Sequence, residues 1–197
     1  MSDAMYMVFG LGNPGRQYRG TRHNVGFELI DRLAIRLAAR GTRLRFGALV
    51  TVASHEGRKI VLAKPQTYMN LSGSSVRALA GFYKSPLDRI LVAHDDLDLP
   101  LGAIRLRPGG GAGGQKGVAS TIEMLGSKDF SRLRIGIGRP PGRMDAADYV
   151  LQKFSDDELL QLSETLDHAM DAALAFILAG IRSAMNRFNR GSAADFN

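Results

Sequence analysis

The sequence predicts an α/β fold in a single domain, and three observations predict it. At 197 residues, 45% of them apolar, the chain is long enough to bury one good core. Two short apolar runs, Tyr6 to Leu11 and Ile90 to Ala93, lack polar alternation, as strands covered on both faces do. Segments with apolar residues at helical spacing follow these runs, so helices are at hand to cover a sheet. No linker or repeat divides the chain. The domain is expected over residues 1–188, with a polar, disordered tail over 189–197.

The elements follow in order. The run from Tyr6 to Leu11 is a buried strand that Asn13-Pro-Gly15 ends, since that tripeptide is a turn signal. A polar stretch leads to Val25, Leu29, Ile30, Leu33 and Leu37, which share one face of a helix from about 22 to 39. Thr21 is its expected N-cap, which puts His23 in the first turn. Phe46 to Ala53 and Lys59 to Ala63 are β-rich and form a hairpin whose turn holds His55. Pro65 ends the second of these strands. After the loop Gln66 to Asn70, a helix from about Ser72 to Tyr83 turns Val76, Leu79, Ala80 and Tyr83 inward.

The central strand Ile90 to Ala93 ends in His94-Asp-Asp-Leu-Asp98. Ala103 to Arg107 and Arg132 to Gly138 alternate apolar and basic residues, so each strand can bury Leu and Ile and align arginines on its other side. Between them the glycine-rich loop 109–117 opens a helix over 118–125. Ser155 to Glu158 is a capping box, and the helix after it runs from Leu159 to about Leu178. Gly180 breaks that helix and a short turn over Ile181 to Phe188 follows. His168 rides its surface.

Composition narrows the chemistry. With no cysteine there is no disulfide, thiolate metal site or cysteine nucleophile. The first residues lack the basic and apolar regions of a signal peptide, and the longest apolar run, Ala172 to Ile181, is too short to span a bilayer. The expectation is a cytoplasmic protein without a membrane partner. Residues 1–154 hold 23 basic and 12 acidic residues, whereas 155–197 hold 3 and 7. A basic body of this kind suits a polyanionic partner.

The stretch Phe9 to Phe27 is the densest in chemistry. Gly10-Leu-Gly-Asn-Pro-Gly15 has the spacing of a dinucleotide-binding loop but not its context. Such a loop opens a helix at its third glycine and meets an acid about 20 residues on, at the end of the next strand. Here a polar stretch follows Gly15, and Asp31 falls inside a helix.

In open α/β sheets the ligand crevice lies at the carboxyl ends of the strands, where Asn13, Asn70 and Asp95 can meet His23. The helix dipole disfavours an imidazolium in a first turn, which leaves His23 suited to accept a proton. Asparagine amides can donate to a carbonyl oxygen as it gains charge. Asn70 and Ser72 read equally well as helix N-caps, and the arginine strands as solvated faces. A cation site on Asp95, Asp96 and Asp98 is the rival, but the segment lacks the glycine and further oxygen ligands of a calcium loop.

Taken together, the stretch 9–27, Tyr68 to Gly73, His94 to Pro100, the loop 109–117 and Arg132 to Gly138 resemble, in order and spacing, the bacterial peptidyl-tRNA hydrolases. Those enzymes cut the ester between a peptide and its tRNA. The resemblance implies a twisted mixed β-sheet between helices, acting as a monomer without metal or cofactor. It implies His23 as the base, Asp95 as its orienting acid, and Asn13 as the reader of the peptide side. Tyr18, Tyr68 and Asn70 are then expected to line the cleft, while Arg107, Lys116 and Arg134 are expected from their charge and placement to meet tRNA phosphates. One departure stands out: many members carry His-Asn where this chain has Gln115-Lys116. A lysine can donate to a phosphate but cannot accept a hydrogen bond as an asparagine does. A non-catalytic RNA-binding splicing factor on the same fold is the alternative, against which His23, Asp95 and Asn13 together speak.

Overall fold

The computed structural model describes residues 5–189, which form one seven-stranded mixed sheet between two helical layers. The strands are β1 (Tyr6–Gly10), β2 (Arg43–Arg45), β3 (Ala48–His55), β4 (Arg58–Pro65), β5 (Ile90–Asp96), β6 (Ile104–Arg107) and β7 (Ser131–Gly136). Their order across the sheet is β2-β3-β4-β1-β5-β7-β6. β1 pairs in parallel with β4 and β5, and β5 with β7. The hairpins β2/β3 and β3/β4 are antiparallel, and so is the edge pair β6/β7, whose strands are joined by the long segment 108–130.

The helices are α1 (Val25–Arg36), α2 (Ser72–Phe82), α3 (Lys116–Leu125), α4 (Ala146–Val150) and α5 (Asp156–Phe188). The period of two explains why the central strands are apolar throughout. Val8, Leu91 and Leu133 point into one core with Leu29 and Leu33 of α1 and Phe176 of α5. Met7, Phe9 and Val92 point into the other with Val76 and Leu79 of α2 and Val118 of α3.

Several expectations shift. α1 begins at Val25, because Arg22–Asn24 wind as a separate 3-10 turn that Thr21 precedes. His23 sits on that turn. Strand β2 and helix α4 add to the elements read from the sequence. The β3/β4 hairpin reaches further than its apolar residues, to a two-residue turn at Glu56 and Gly57, both at positive φ (44° and 75°). That is the hairpin turn whose twist matches the strands.

α5 continues to Phe188 across a single non-helical residue, Gly180 (φ 78°, ψ 170°). Its length and most apolar window would suit a bilayer, but 44% of that window is buried within the fold. The tail expected from Asn189 is ordered at its first residue. The Asn189 amide accepts from Leu106 N–H (2.8 Å) and donates to Leu106 C=O (3.0 Å), standing in for a neighbouring strand at the β6 edge. The rest of the expected tail, residues 190–197, lies outside the described residues.

Candidate active site

Topology opens a crevice at the carboxyl end of β1. The chain leaves β1 for α1 on one face and later crosses from β4 through α2, on the other face, to β5 on the far side of β1. Asn13 follows β1, Tyr68 to Asn70 follow β4, and Asp95 lies near the end of β5. The 3-10 turn bearing His23 reaches them because α1 lies hard against β1. A Cβ on Gly10 would stand 2.0 Å from Gly26 O, and one on Gly26 would stand 2.6 Å from Leu11 N and 2.7 Å from Ala93 O. Only glycine permits that approach.

At the crevice His23 Nδ1 lies 2.8 Å from Asp95 Oδ2, with Asp95 only 4% exposed. A carboxylate against Nδ1 calls for the proton on that nitrogen, which leaves the Nε2 lone pair as the basic atom. Asn13 is held just as firmly. Its backbone N–H donates to Asn24 Oδ1 (2.8 Å), and Asn24 Nδ2 donates to its carbonyl (2.9 Å). Its side-chain Oδ1 accepts from Met69 N–H (2.8 Å), so the amide NH₂ is the end available to a ligand.

These three residues line a cleft of about 700 Å³. Tyr68, Asn70 and Lys116 line it too, and Val150 and Leu151 bring α4 to it. A partly exposed imidazole oriented by a buried carboxylate, a presented amide donor and a cleft of substrate size make a site for attack by activated water.

The peptidyl-tRNA hydrolase family model matches residues 7–195. A curated peptidyl-tRNA hydrolase of Carboxydothermus hydrogenoformans is 49% identical over 187 residues, covering 95% of this chain and 100% of the relative. The chloroplastic peptidyl-tRNA hydrolase of Arabidopsis thaliana is 48% identical over 93% of this chain, which spans 64% of that longer protein. A crystal structure of peptidyl-tRNA hydrolase from Acinetobacter baumannii superposes with a TM-score of 0.88 at 35% identity, covering 96% of this chain and 97% of the other.

The chain belongs to the peptidyl-tRNA hydrolase family. Its reaction class is that of a hydrolase acting on an ester bond, and the mixed sheet is the sheet of that family.

Within this peptidyl-tRNA hydrolase fold, the residues expected at the site do not all gather in one place. His23, Asp95, Asn13, Tyr68, Asn70 and Lys116 share the cleft. Tyr18 does not line it; it ends a 3-10 turn, where its carbonyl accepts from Thr21 Oγ1 (2.8 Å). Neither Asn70 nor Ser72 caps α2, whose N-cap position is Leu71 with no side-chain bond.

Arg107 and Arg134 line a separate cavity of about 260 Å³ under the glycine loop, together with Arg132 and His94. Arg132 departs from the solvated-face reading. It is 4% exposed, over the Phe130 ring, and donates to the carbonyls of Gly110 and Gly111. Asp96 pairs with Arg134, and Asp98 with Arg139 (2.6 Å), so the acids at the end of β5 and in the turn after it each face a different partner. Burial pushes the His94 imidazole below its usual range, and its Nδ1 donates to Asp95 C=O (2.7 Å).

Two residues at or beside this site carry no sequence signal of their own, and a third was marked only as half of the departure at 115–116. Asn24 clamps Asn13, as described. Arg22 is 6% exposed, stacked on Tyr149 (4.4 Å) and Phe154 (4.7 Å), and grips both carboxylate oxygens of Glu158 (2.9 and 2.6 Å). It therefore ties the turn bearing His23 to α4 and the start of α5. Burial raises the Glu158 carboxyl, but the Arg22 and Ser155 hydrogen bonds outweigh it and hold the group below the usual carboxylate value. The third is Gln115, whose Nε2 donates to Asp95 Oδ1 (3.0 Å).

Proposed function

We propose that this chain hydrolyses the ester between a peptide's C-terminus and the 3′-terminal ribose of tRNA, with His23 as general base. His23 Nε2 takes a proton from water as the water oxygen attacks the ester carbonyl carbon. The tetrahedral intermediate collapses, the bond from carbon to ribose oxygen breaks, and the imidazolium returns its proton to that oxygen. The products are a peptide acid and a tRNA with a free hydroxyl. Asp95 keeps the Nδ1 proton in place and stabilises the imidazolium. The observation that carries this reading is the contact between His23 and Asp95 beside a presented Asn13 amide in one cleft.

Asn13 Nδ2 suits the peptide carbonyl next to the ester, which distinguishes a blocked amino group from a free one. Tyr68 and Asn70 border the path of the peptide and the tRNA end, while Tyr18 supports the loop between β1 and α1. Arg107, Arg134 and Lys116 serve the phosphates of tRNA, the first two from the cavity beside the cleft. On this reading residues 1–188 act as one catalytic domain, as a cytoplasmic monomer, with neither metal nor cofactor in the step. The test compares N-blocked and free aminoacyl-tRNA as substrates for the wild type and for His23→Ala. Preference for the blocked ester, lost in the variant together with at least two decades of rate, is expected. Turnover by His23→Ala above a few per cent would refute the base.

A further inference from the structure

We infer that Gln115 is a positioning residue for the hydrolysis, locking the carboxylate plane of Asp95 so that Asp95 in turn fixes His23. This rests on the reading of His23 and Asp95 above. A buried carboxylate needs a partner on each oxygen. Asp95 Oδ2 has His23 Nδ1, and Oδ1 has Gln115 Nε2 at 3.0 Å. With only the first, the carboxylate would turn freely, because the torsion that carries it has a broad, shallow profile. The second donor removes that freedom.

The amide is itself held the right way round. Gln115 is the N-cap residue of α3, and its Oε1 accepts from Val118 N–H (2.8 Å). A flipped amide would set oxygen against the Asp95 carboxylate and NH₂ against the Val118 N–H, two repulsive contacts in place of two bonds. Thus the first turn of α3 orients Gln115, Gln115 orients Asp95, and Asp95 orients His23. The glycine loop allows the chain to enter α3 at this angle, with Gly110, Gly113 and Gly114 at positive φ (122°, 58° and 81°).

Neutrality is part of the role. Lys116, Asp96, Asp98 and Asp145 also line the cleft, and the buried His94 stands behind Asp95 with its Nδ1 donating to the Asp95 carbonyl. A donor without charge fixes Asp95 without cancelling the negative charge that the imidazolium needs. A histidine at this position would offer the same pair of functions. A neutral ring has one N–H to give the carboxylate and one lone pair for the Val118 N–H.

Gln115→Glu tests this directly, because it keeps an oxygen to cap α3 and replaces only the amide facing Asp95. The expected result is a fall in kcat of roughly 10- to 100-fold, by analogy with the loss when a partner that orients a metal-ligating side chain is removed. KM should stay within about twofold, since kcat alone reports an orienting loss. Like-charge repulsion should also move the acid limb of the pH–rate profile to higher pH and lower Tm near neutral pH, a Tm loss that closes as the pH falls. Gln115→His should restore most of the rate. Wild-type kcat and an unmoved pH profile in Gln115→Glu would overturn the inference. So would equal rate losses in the Glu and His variants with a lower Tm in both that persists in acid, the mark of a lost helix cap. Asp95→Asn, run in parallel, separates the two levels. If it too is unimpaired, the base assignment fails; if it alone is impaired, only the role of Gln115 fails.

Discussion

Asp95→Asn keeps the shape of a buried side chain but forces a choice. The introduced amide must turn one end to Gln115 and the other to His23. Gln115 Nε2, whose orientation the Val118 N–H sets, donates at the Oδ1 position from 3.0 Å. It therefore draws the new carbonyl to itself and leaves the new NH₂ facing His23 Nδ1, where Asp95 Oδ2 stands at 2.8 Å. Two donors cannot share that contact, so the imidazole proton moves to Nε2, the atom assigned to receive the proton of water. In a Ser-His-Asp triad this wrong tautomer costs about 10⁴ in kcat, which is about 5 kcal/mol of barrier at 1.36 kcal/mol per decade.

The same magnitude is expected here, with KM nearly unchanged, in single-turnover hydrolysis of an N-blocked aminoacyl-tRNA. Nitrogen-15 NMR of the imidazole should show the proton on Nδ1 in the wild type and on Nε2 in the variant. Adding Gln115→Glu to Asp95→Asn puts an acceptor where Gln115 donated, turns the introduced amide round, and should recover part of the lost rate. A loss below about tenfold, or a rate loss with the proton still on Nδ1, would refute the tautomer argument.

Two further predictions concern the surroundings of the site. Glu158→Gln breaks the charged grip on Arg22 and should cost about 1.5 kcal/mol, the low end for bonds to charged groups because the carboxylate is 27% exposed, or a Tm lower by about 3 to 6 °C at this chain length. Because the folded-state value of Glu158 lies below its ordinary 4.5, that contribution is present above this pH and is lost as pH falls through the folded value. The Tm gap between wild type and variant should therefore close in acid, and a gap of constant size would contradict it. Arg107→Gln should flatten the log-log dependence of tRNA affinity on salt by about one phosphate contact, roughly 0.7 to 0.9 in slope, with kcat unchanged. An unaltered slope would return Arg107 to an ordinary solvated role.

How much of this was legible in the sequence depends on what each signal measures. The central strands were plain because burial on both faces removes every polar residue from Met7 to Phe9 and from Ile90 to Ala93. β2 was not, since Arg43 and Leu44 are exposed and only pairing with β3 makes them a strand. α4 has two buried residues in a single turn, Tyr149 and Val150, too few for a period to show. The arginines show the limit of alternation most sharply. Arg132 and Arg134 occupy equivalent positions in one pattern, yet Arg132 is buried because the carbonyls of a loop about twenty residues earlier fold over it. Alternation reports which side of a strand a residue takes, and is silent about what covers that side.

The site divides along the same line. His23, Asp95 and Asn13 stood out because strand ends and helix starts are where an α/β sheet gathers ligands. Gln115 did not, because a polar residue leaving a glycine loop has no burial signal, and its partner Asp95 is 20 residues away. The departure from His-Asn drew attention to Lys116, the exposed member of the pair, whereas the orienting contact belongs to Gln115. Gly10 and Gly26 complete the point. In the sequence Gly10 was read as part of a loop motif and Gly26 fell inside a helix without a role of its own, but the atoms a Cβ would strike include Gly26 O, Leu11 N and Ala93 O, which are backbone and unable to yield. These two glycines set how deeply α1 seats against β1 and β5. The contact between a turn at the start of α1 and the end of β5, on which the proposed mechanism rests, therefore depends on side chains that are missing as much as on those that are present.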